Sequence, residues 1–131
     1  MTGTNSFAGI LIAPQILKIA ARSDARGSLG ILEWSDVPFT PRRLYFLHEI
    51  PAGAVRGGHS HRKSEELLIA LSGAVTVTTI QDSSKKRFRL DNASDGLYIP
   101  VGVWHQLEDF SGNAVVLAVA SEPYDPDDYF S

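Results

Sequence analysis

The chain has 131 residues, a formal net charge of −3 and 44% hydrophobic residues, which suits one globular domain with one real core and argues against disorder. The slight excess of acid gives no electrostatic footprint for nucleic acid. There is no cysteine, which removes disulfides, thiolate metal sites and thiol nucleophiles and fits a cytoplasmic setting.

Along the chain, Met1 to Ser6 carries no Lys or Arg, and the apolar run 7–13 is short and broken by Gly9, so no secretory pattern is expected. No stretch approaches the length of a membrane span. Residues 1–15 read as an extension that packs on the domain or on a partner. Strand patterns dominate after it. Ile16–Ala20 and Leu29–Trp34 flank a turn-like Asp24-Ala25-Arg26-Gly27. Leu44–Ile50 follows a stretch containing Pro38 and Pro41. Glu66–Leu71 and Ala74–Ile80 are split at Ser72-Gly73. Gln81 to Ser84 reads as a hairpin turn into Lys85–Asp91, where Arg87 and Arg89 alternate with Phe88 and Leu90 as in a half-buried strand. Lys85, Lys86, Arg87 and Arg89 are a solvated hairpin face or a patch for an acidic partner. Leu97–Ile99, Val103–Leu107 and Ala114–Ser121 complete the set. The acidic, aromatic tail 124–130 reads as an extended segment laying Tyr and Phe onto the body or a partner. No window has sustained 3.6-residue periodicity, so little helix is expected. Many short strands with frequent turns predict an all-β antiparallel sandwich or barrel whose mouth can hold a ligand.

The densest chemistry lies in Arg56-Gly57-Gly58-His59-Ser60-His61. If this run is a strand, His59 and His61 project from one face, each ring with a pKa naturally near neutrality. Gly53 precedes His59 by six residues, Glu66 follows His61 by five, and Gly73 follows Glu66 by seven. A second segment runs Gly96-Leu97-Tyr98-Ile99-Pro100 to Trp104-His105. Together these resemble the two-motif signature of a cupin jelly-roll barrel.

Two chemistries suit these residues. His59, His61, Glu66 and His105 match a three-histidine, one-carboxylate metal set of N/O ligands suited to iron, manganese, nickel or zinc. Alternatively, a neutral imidazole removes a proton alpha to a ketone and a second moves protons between oxygens, with Arg56 or Tyr45 stabilising the enediolate. Arg56 also suits a phosphate, by its planar fork of donors. Glycines 57 and 58 permit a bulge or close backbone approach. Plainer readings stand beside these: Glu66 as a surface carboxylate, His105 as a satisfied hydrogen-bonded ring, Arg56 as a surface ion pair.

The chain resembles the sugar 3,4-ketoisomerases that act on dTDP-4-keto-6-deoxyglucose, the WxcM-like branch of the cupins. The likeness covers about residues 16–130. It rests on Asp24-Ala25-Arg26-Gly27-Ser28-Leu29, Pro38-Phe39, Arg43-Leu44-Tyr45, the Arg56–Arg62 run, Leu90-Asp91, the Gly96–Pro100 segment with Trp104, Asp109-Phe110-Ser111, Ala120-Ser121, and Tyr124-Asp125 with Asp128-Tyr129. It implies one cupin domain over 1–131, a homodimer often with exchanged strands, and an isomerisation moving the ketone from C4 to C3 without metal or redox cofactor, in dTDP-3-amino-deoxysugar biosynthesis. It also implies that His59 takes the C3 proton and returns one at C4, that His61 shuttles protons between the oxygens, and that Arg56 and Tyr45 lie near the sugar and its diphosphate. Arg26, Tyr98, Trp104, Glu66 and His105 join the implied substrate-binding set, and His105 with Arg26 implies the galacto product. Glu66 stands where the family often has Gln. Two readings stay beside the isomerase: a metal-dependent cupin enzyme using His59, His61, Glu66 and His105, and a non-catalytic nucleotide-sugar binder.

Overall fold

A computed structural model describes residues 11–131; most of the expected N-terminal extension, residues 1–10, lies outside the described residues. The strands are β1 (Gln15–Lys18), β2 (Ala20–Asp24), β3 (Gly27–Ile31), β4 (Arg43–Leu47), β5 (Arg56–His61) and β6 (Glu66–Ser72). They continue as β7 (Val75–Gln81), β8 (Ser84–Leu90), β9 (Asp95–Ile99), β10 (Trp104–Glu108), β11 (Val115–Ala120) and β12 (Tyr129–Phe130). Among the described residues the helical structure is confined to two 3-10 turns, Trp34–Asp36 and Pro126–Asp128. No helix there is long and apolar enough to cross a membrane.

Two five-stranded antiparallel sheets, ordered β1-β9-β6-β11-β4 and β12-β5-β10-β7-β8, form the expected cupin jelly roll. The period-two alternation of a strand decides which side chains share the interior. Leu68, Ala70, Val75, Val77, Leu90, Leu97, Ile99, Val103, Leu107, Val116 and Ala118 fill one cluster spanning both sheets. The alternate residues of β6 and β9, Leu67, Ile69 and Tyr98, face the other way and join Val119 beneath Leu17, Ile19, Leu32 and Phe39. β6 is therefore apolar on both faces, which explains its nearly unbroken hydrophobic run.

Local differences from the sequence reading have local causes. The β7–β8 turn spans Gln81 to Ser84, as expected. Gln81 pairs with Ser84, and the two central residues, Asp82 (φ 49°) and Ser83 (φ 66°), adopt the positive φ angles of a type I′ turn. β4 stops at Leu47 because Glu49 turns left-handed (φ 52°) just before Pro51. Trp34 leaves its expected strand for a 3-10 turn. The tail docks on the barrel, with Tyr129 opposite His61 and Phe130 opposite Ser60. Phe130 also lies under the Arg62 guanidinium, 4.7 Å from its ring centroid. The basic cluster lies on the exposed strand β8, where Arg89 donates to Thr76 Oγ1 and the Asp109 carbonyl. The β2–β3 hairpin forms its own two-stranded sheet, almost wholly exposed.

Candidate active site

The polar centre is built around a bulge. His105 on β10 pairs with His59 on β5, but Gln106 pairs with Gly57, so Gly58 is the extra residue. Gly57 (φ 84°) and Gly58 (φ 78°) both occupy left-handed backbone, and a Cβ on Gly57 would meet the His105 carbonyl oxygen at 3.1 Å. The glycines thus let β5 bend against β10 and bring three imidazoles together. Ring centroids are 5.0 Å apart for His59 and His61, 5.2 Å for His59 and His105, and 5.6 Å for the nearly parallel His61 and His105.

The rings differ in tethering. His61 is buried, and its Nδ1–H donates to Asp128 Oδ2 at 3.0 Å. Asp128 also accepts from the backbone N–H groups of Lys63 (2.6 Å) and Ser64 (3.3 Å). Burial opposes its ionisation, yet the hydrogen bonds from His61, Lys63 and Ser64 hold its carboxyl below the usual range. His105 donates Nδ1–H to the Val103 carbonyl at 3.1 Å. Neutral rings tethered this way present their lone pairs at Nε2. Both Nε2 atoms lie 3.8 Å from Glu66, one from each carboxylate oxygen, and His61 Nε2 has no hydrogen-bond partner. Glu66 accepts from the Tyr45 hydroxyl at 2.9 and 3.1 Å.

Burial sets the proton affinities. It lowers the His105 pKa to about 4 against the pull of the Val103 carbonyl, and lowers that of His59 with help from His61. It raises Glu66 against the opposing influence of His61 and Tyr45, and raises Tyr45 with help from the Glu66 carboxylate. His59 and His105 are therefore bases, not cations, at neutral pH.

A cleft of about 520 Å³ opens onto this cluster, lined on one side by Tyr45, Glu66 and Arg43, on the other by Arg56, His59 and His105. Tyr124, Pro126 and Tyr129 of the tail close a third side. His61 stands behind the lining, its ring against His59 and Tyr129.

Of the residues expected from sequence, His59, His105, Glu66, Tyr45 and Arg56 meet at this cleft, with His61 directly behind. Three others do not join it. Tyr98 points to the outer face of its sheet, donates to Glu65 and packs on Phe39. Trp104 is adjacent to His105 in a strand and so faces the opposite side, lining a shallow groove with Lys85 and Arg87. Arg26 lies in the exposed hairpin and is paired with Asp24 at 2.6 Å. Asp128, Tyr129, Tyr124 and Arg43 belong to the motifs of the resemblance but were given no site role from sequence. Asp128 and His61 are 67 positions apart, and nothing local announces their contact.

The donor types, three imidazoles and a carboxylate, also suit a first-row metal. The ligand nitrogens of His59, His61 and His105 lie within 4.8 Å of one another. Two atoms each about 2.1 Å from one ion lie at most about 4.2 Å apart, which the 3.8 Å spacings to Glu66 satisfy.

The family model FdtA, described as WxcM-like, C-terminal, matches residues 13–131. A TDP-4-oxo-6-deoxy-alpha-D-glucose-3,4-oxoisomerase of Aneurinibacillus thermoaerophilus is 36% identical over 107 residues, covering 81% of this chain and 77% of that protein. The sugar 3,4-ketoisomerase QdtA of Thermoanaerobacterium thermosaccharolyticum, solved with TDP, superposes with a TM-score of 0.87 at 34% identity, covering 92% of this chain and 89% of that one. A 3,4-ketoisomerase of Helicobacter canadensis gives a TM-score of 0.85 at 30% identity, with 89% of each chain covered. Matched over nearly all its described length, the chain belongs to the FdtA family of WxcM-like proteins, alongside sugar 3,4-ketoisomerases.

Proposed function

We propose that this chain is a TDP-4-oxo-6-deoxyglucose 3,4-ketoisomerase that works by histidine acid–base catalysis. The observation that carries the reading is His59: a ring kept in its neutral, proton-accepting form by burial, facing the cleft, in a family whose relatives isomerise this sugar. His59 removes the proton at C3, alpha to the C4 ketone, giving an enediolate, and returns a proton at C4. The hydroxyl proton moves between O3 and O4. His61 holds that proton at Nε2, a buried ring nitrogen without a hydrogen-bond partner among the described residues, which faces Glu66 at the cleft wall. Asp128 orients the ring through its hydrogen bond to Nδ1. Arg56 meets the negative charge of the substrate. The product carries the ketone at C3, ready for amination, with the galacto configuration at C4.

The test is solvent exchange. Incubated with TDP-4-keto-6-deoxyglucose in deuterated water and excess chelator, the protein should place deuterium in the sugar and yield the 3-keto isomer, its C4 configuration read by NMR. Unlabelled, unchanged sugar with intact protein would overturn the reading.

A second reading, a metal-dependent cupin enzyme, is favoured by the convergence of His59, His61, His105 and Glu66 on one small volume. A stoichiometric first-row metal in protein purified without added metal, with turnover lost to chelator and restored by that metal, would replace the first reading with this one.

We also propose a homodimer with exchanged strands. Its support is the exposed β2–β3 hairpin, with Leu29 59% accessible, and the edge strand β4, which exposes Leu44 (54%) and Phe46 (61%). Such an exchange gives Arg26 a site to reach that it lacks within one chain. Light scattering should return twice the monomer mass.

A further inference from the structure

The four strands that end the two sheets, β1, β4, β12 and β8, differ in what their open edges offer. β1 has four residues, β4 five and β12 two, whereas β8 runs for seven. Its register with β7 is unbroken from Val75 opposite Leu90 to Gln81 opposite Ser84, so no bulge turns it aside, and it contains no proline. Among the described residues nothing pairs with its outer side, which leaves a row of backbone N–H and C=O groups without sheet partners. Charge guards this edge instead. Alternation places Lys85, Arg87 and Arg89 on the outer face of the sheet, and Phe88 and Leu90 against the core. Lys85 and Lys86 are exposed and, among the described residues, form no ion pair. Arg87 is loosely matched, with Asp109 Oδ2 3.6 Å away and both side chains more than half accessible. A long edge carrying four cations repels a second copy of itself and attracts a strand of opposite sign.

We propose that the β8 edge is a docking site for an extended acidic segment of a partner protein, which adds to the sheet as a further strand. Main-chain hydrogen bonds supply the join, and side chains set the choice of partner. On the outer face the added strand meets Lys85, Arg87 and Arg89, so its residues there are Asp or Glu. On the inner face it lies beside Phe88, so the alternate residues are apolar. The partner is therefore recognised by a period-two pattern of acidic and apolar residues along the length of β8. None of the described residues that line the cleft belongs to β8, so the proposal stands or falls independently of the ketoisomerase reading.

The experiment is titration of the isotope-labelled full chain, followed by amide NMR, with end-blocked synthetic heptapeptides. Three are used: alternating Glu and Val, alternating Gln and Val, and alternating Glu and Pro. The Glu/Val peptide should shift the β8 amides and slow the solvent exchange of those that β7 leaves unused. The Gln/Val peptide should bind at least about 10-fold more weakly. The Glu/Pro peptide keeps the charge but disrupts the ladder, so it should not protect those amides. Added salt should weaken the Glu/Val peptide several-fold. The double variant Lys85→Glu, Arg87→Glu, confirmed as folded by circular dichroism, should lose the Glu/Val peptide and bind an alternating Lys/Val peptide. Equal binding of the Glu/Val and Glu/Pro peptides overturns the proposal, since charge attraction alone would then be at work. Outer β8 amides already protected in the free protein overturn it as well, because the edge is then covered by its own chain or by a second copy. Absence of any β8 shift with the Glu/Val peptide overturns it outright.

Discussion

The two ends of the barrel obey one rule and reach opposite results. On β6 the inward residues are Glu66, then Leu68 and Ala70; on β10 they are His105, then Leu107. Deep in the barrel every inward position is apolar and packed against Val75, Val77, Leu90 and Leu97. One or two steps along the same strands, the inward positions carry the imidazoles and a carboxylate. The packed end fixes the strands, and the polar end inherits their spacing. Stability thus resides at one end and chemistry at the other, and each can be disturbed separately.

The sharpest separation comes from His59→Ala. It should lower turnover about 10²- to 10⁴-fold, with an unchanged denaturation midpoint; retention of activity in the isomerisation assay would remove His59 from the chemistry. The reciprocal change is Leu90→Ala at the packed end, where Leu90 is fully buried. It should cost about 2–5 kcal/mol in urea unfolding while kcat per folded molecule stays the same. Asp128→Asn tests the bridge between the two kinds of role. It leaves the shape but weakens the hold on His61, and kcat should fall about 10- to 100-fold with substrate affinity retained.

The mildest test is acid. An unfolded histidine takes up its proton near pH 6.5, whereas folded His105 does so only near pH 4, because burial resists the charge. Between these values the unfolded chain binds more protons, so stability is full above about pH 6.5 and declines as the pH falls toward 4. His105→Gln should flatten that part of the decline in urea midpoints measured from pH 7 to pH 4.5.

Much of this was legible in the chain itself. The Arg-Gly-Gly-His-Ser-His run announced both the shared face of the two histidines and the bulge, because alternation and glycine conformation are local properties. The barrel was legible for the same reason. Alternation also bears on Trp104: a strand neighbour of His105 faces away from it, and the motif that contains both obscures this. Tyr98 falls outside on the same logic, between inward Leu97 and Ile99. Asp128, Tyr129 and Tyr124 reach the site through the docking of a distant tail, and strand periodicity carries no information about where such a tail will lie. Arg43 was visible only as part of a resemblance, since the Tyr45 and Tyr124 rings that flank it are brought together by folding.

That tail has a further consequence. Only two of its residues pair with β5, yet it brings the carboxylate that steadies His61 and the ring of Tyr129 that packs on both histidines. Detaching so small a unit requires far less than melting the nine other strands of the two sheets. On gradual warming the molecule will therefore fall silent while its sheets are still intact, and on cooling it will recover its voice without having to refold.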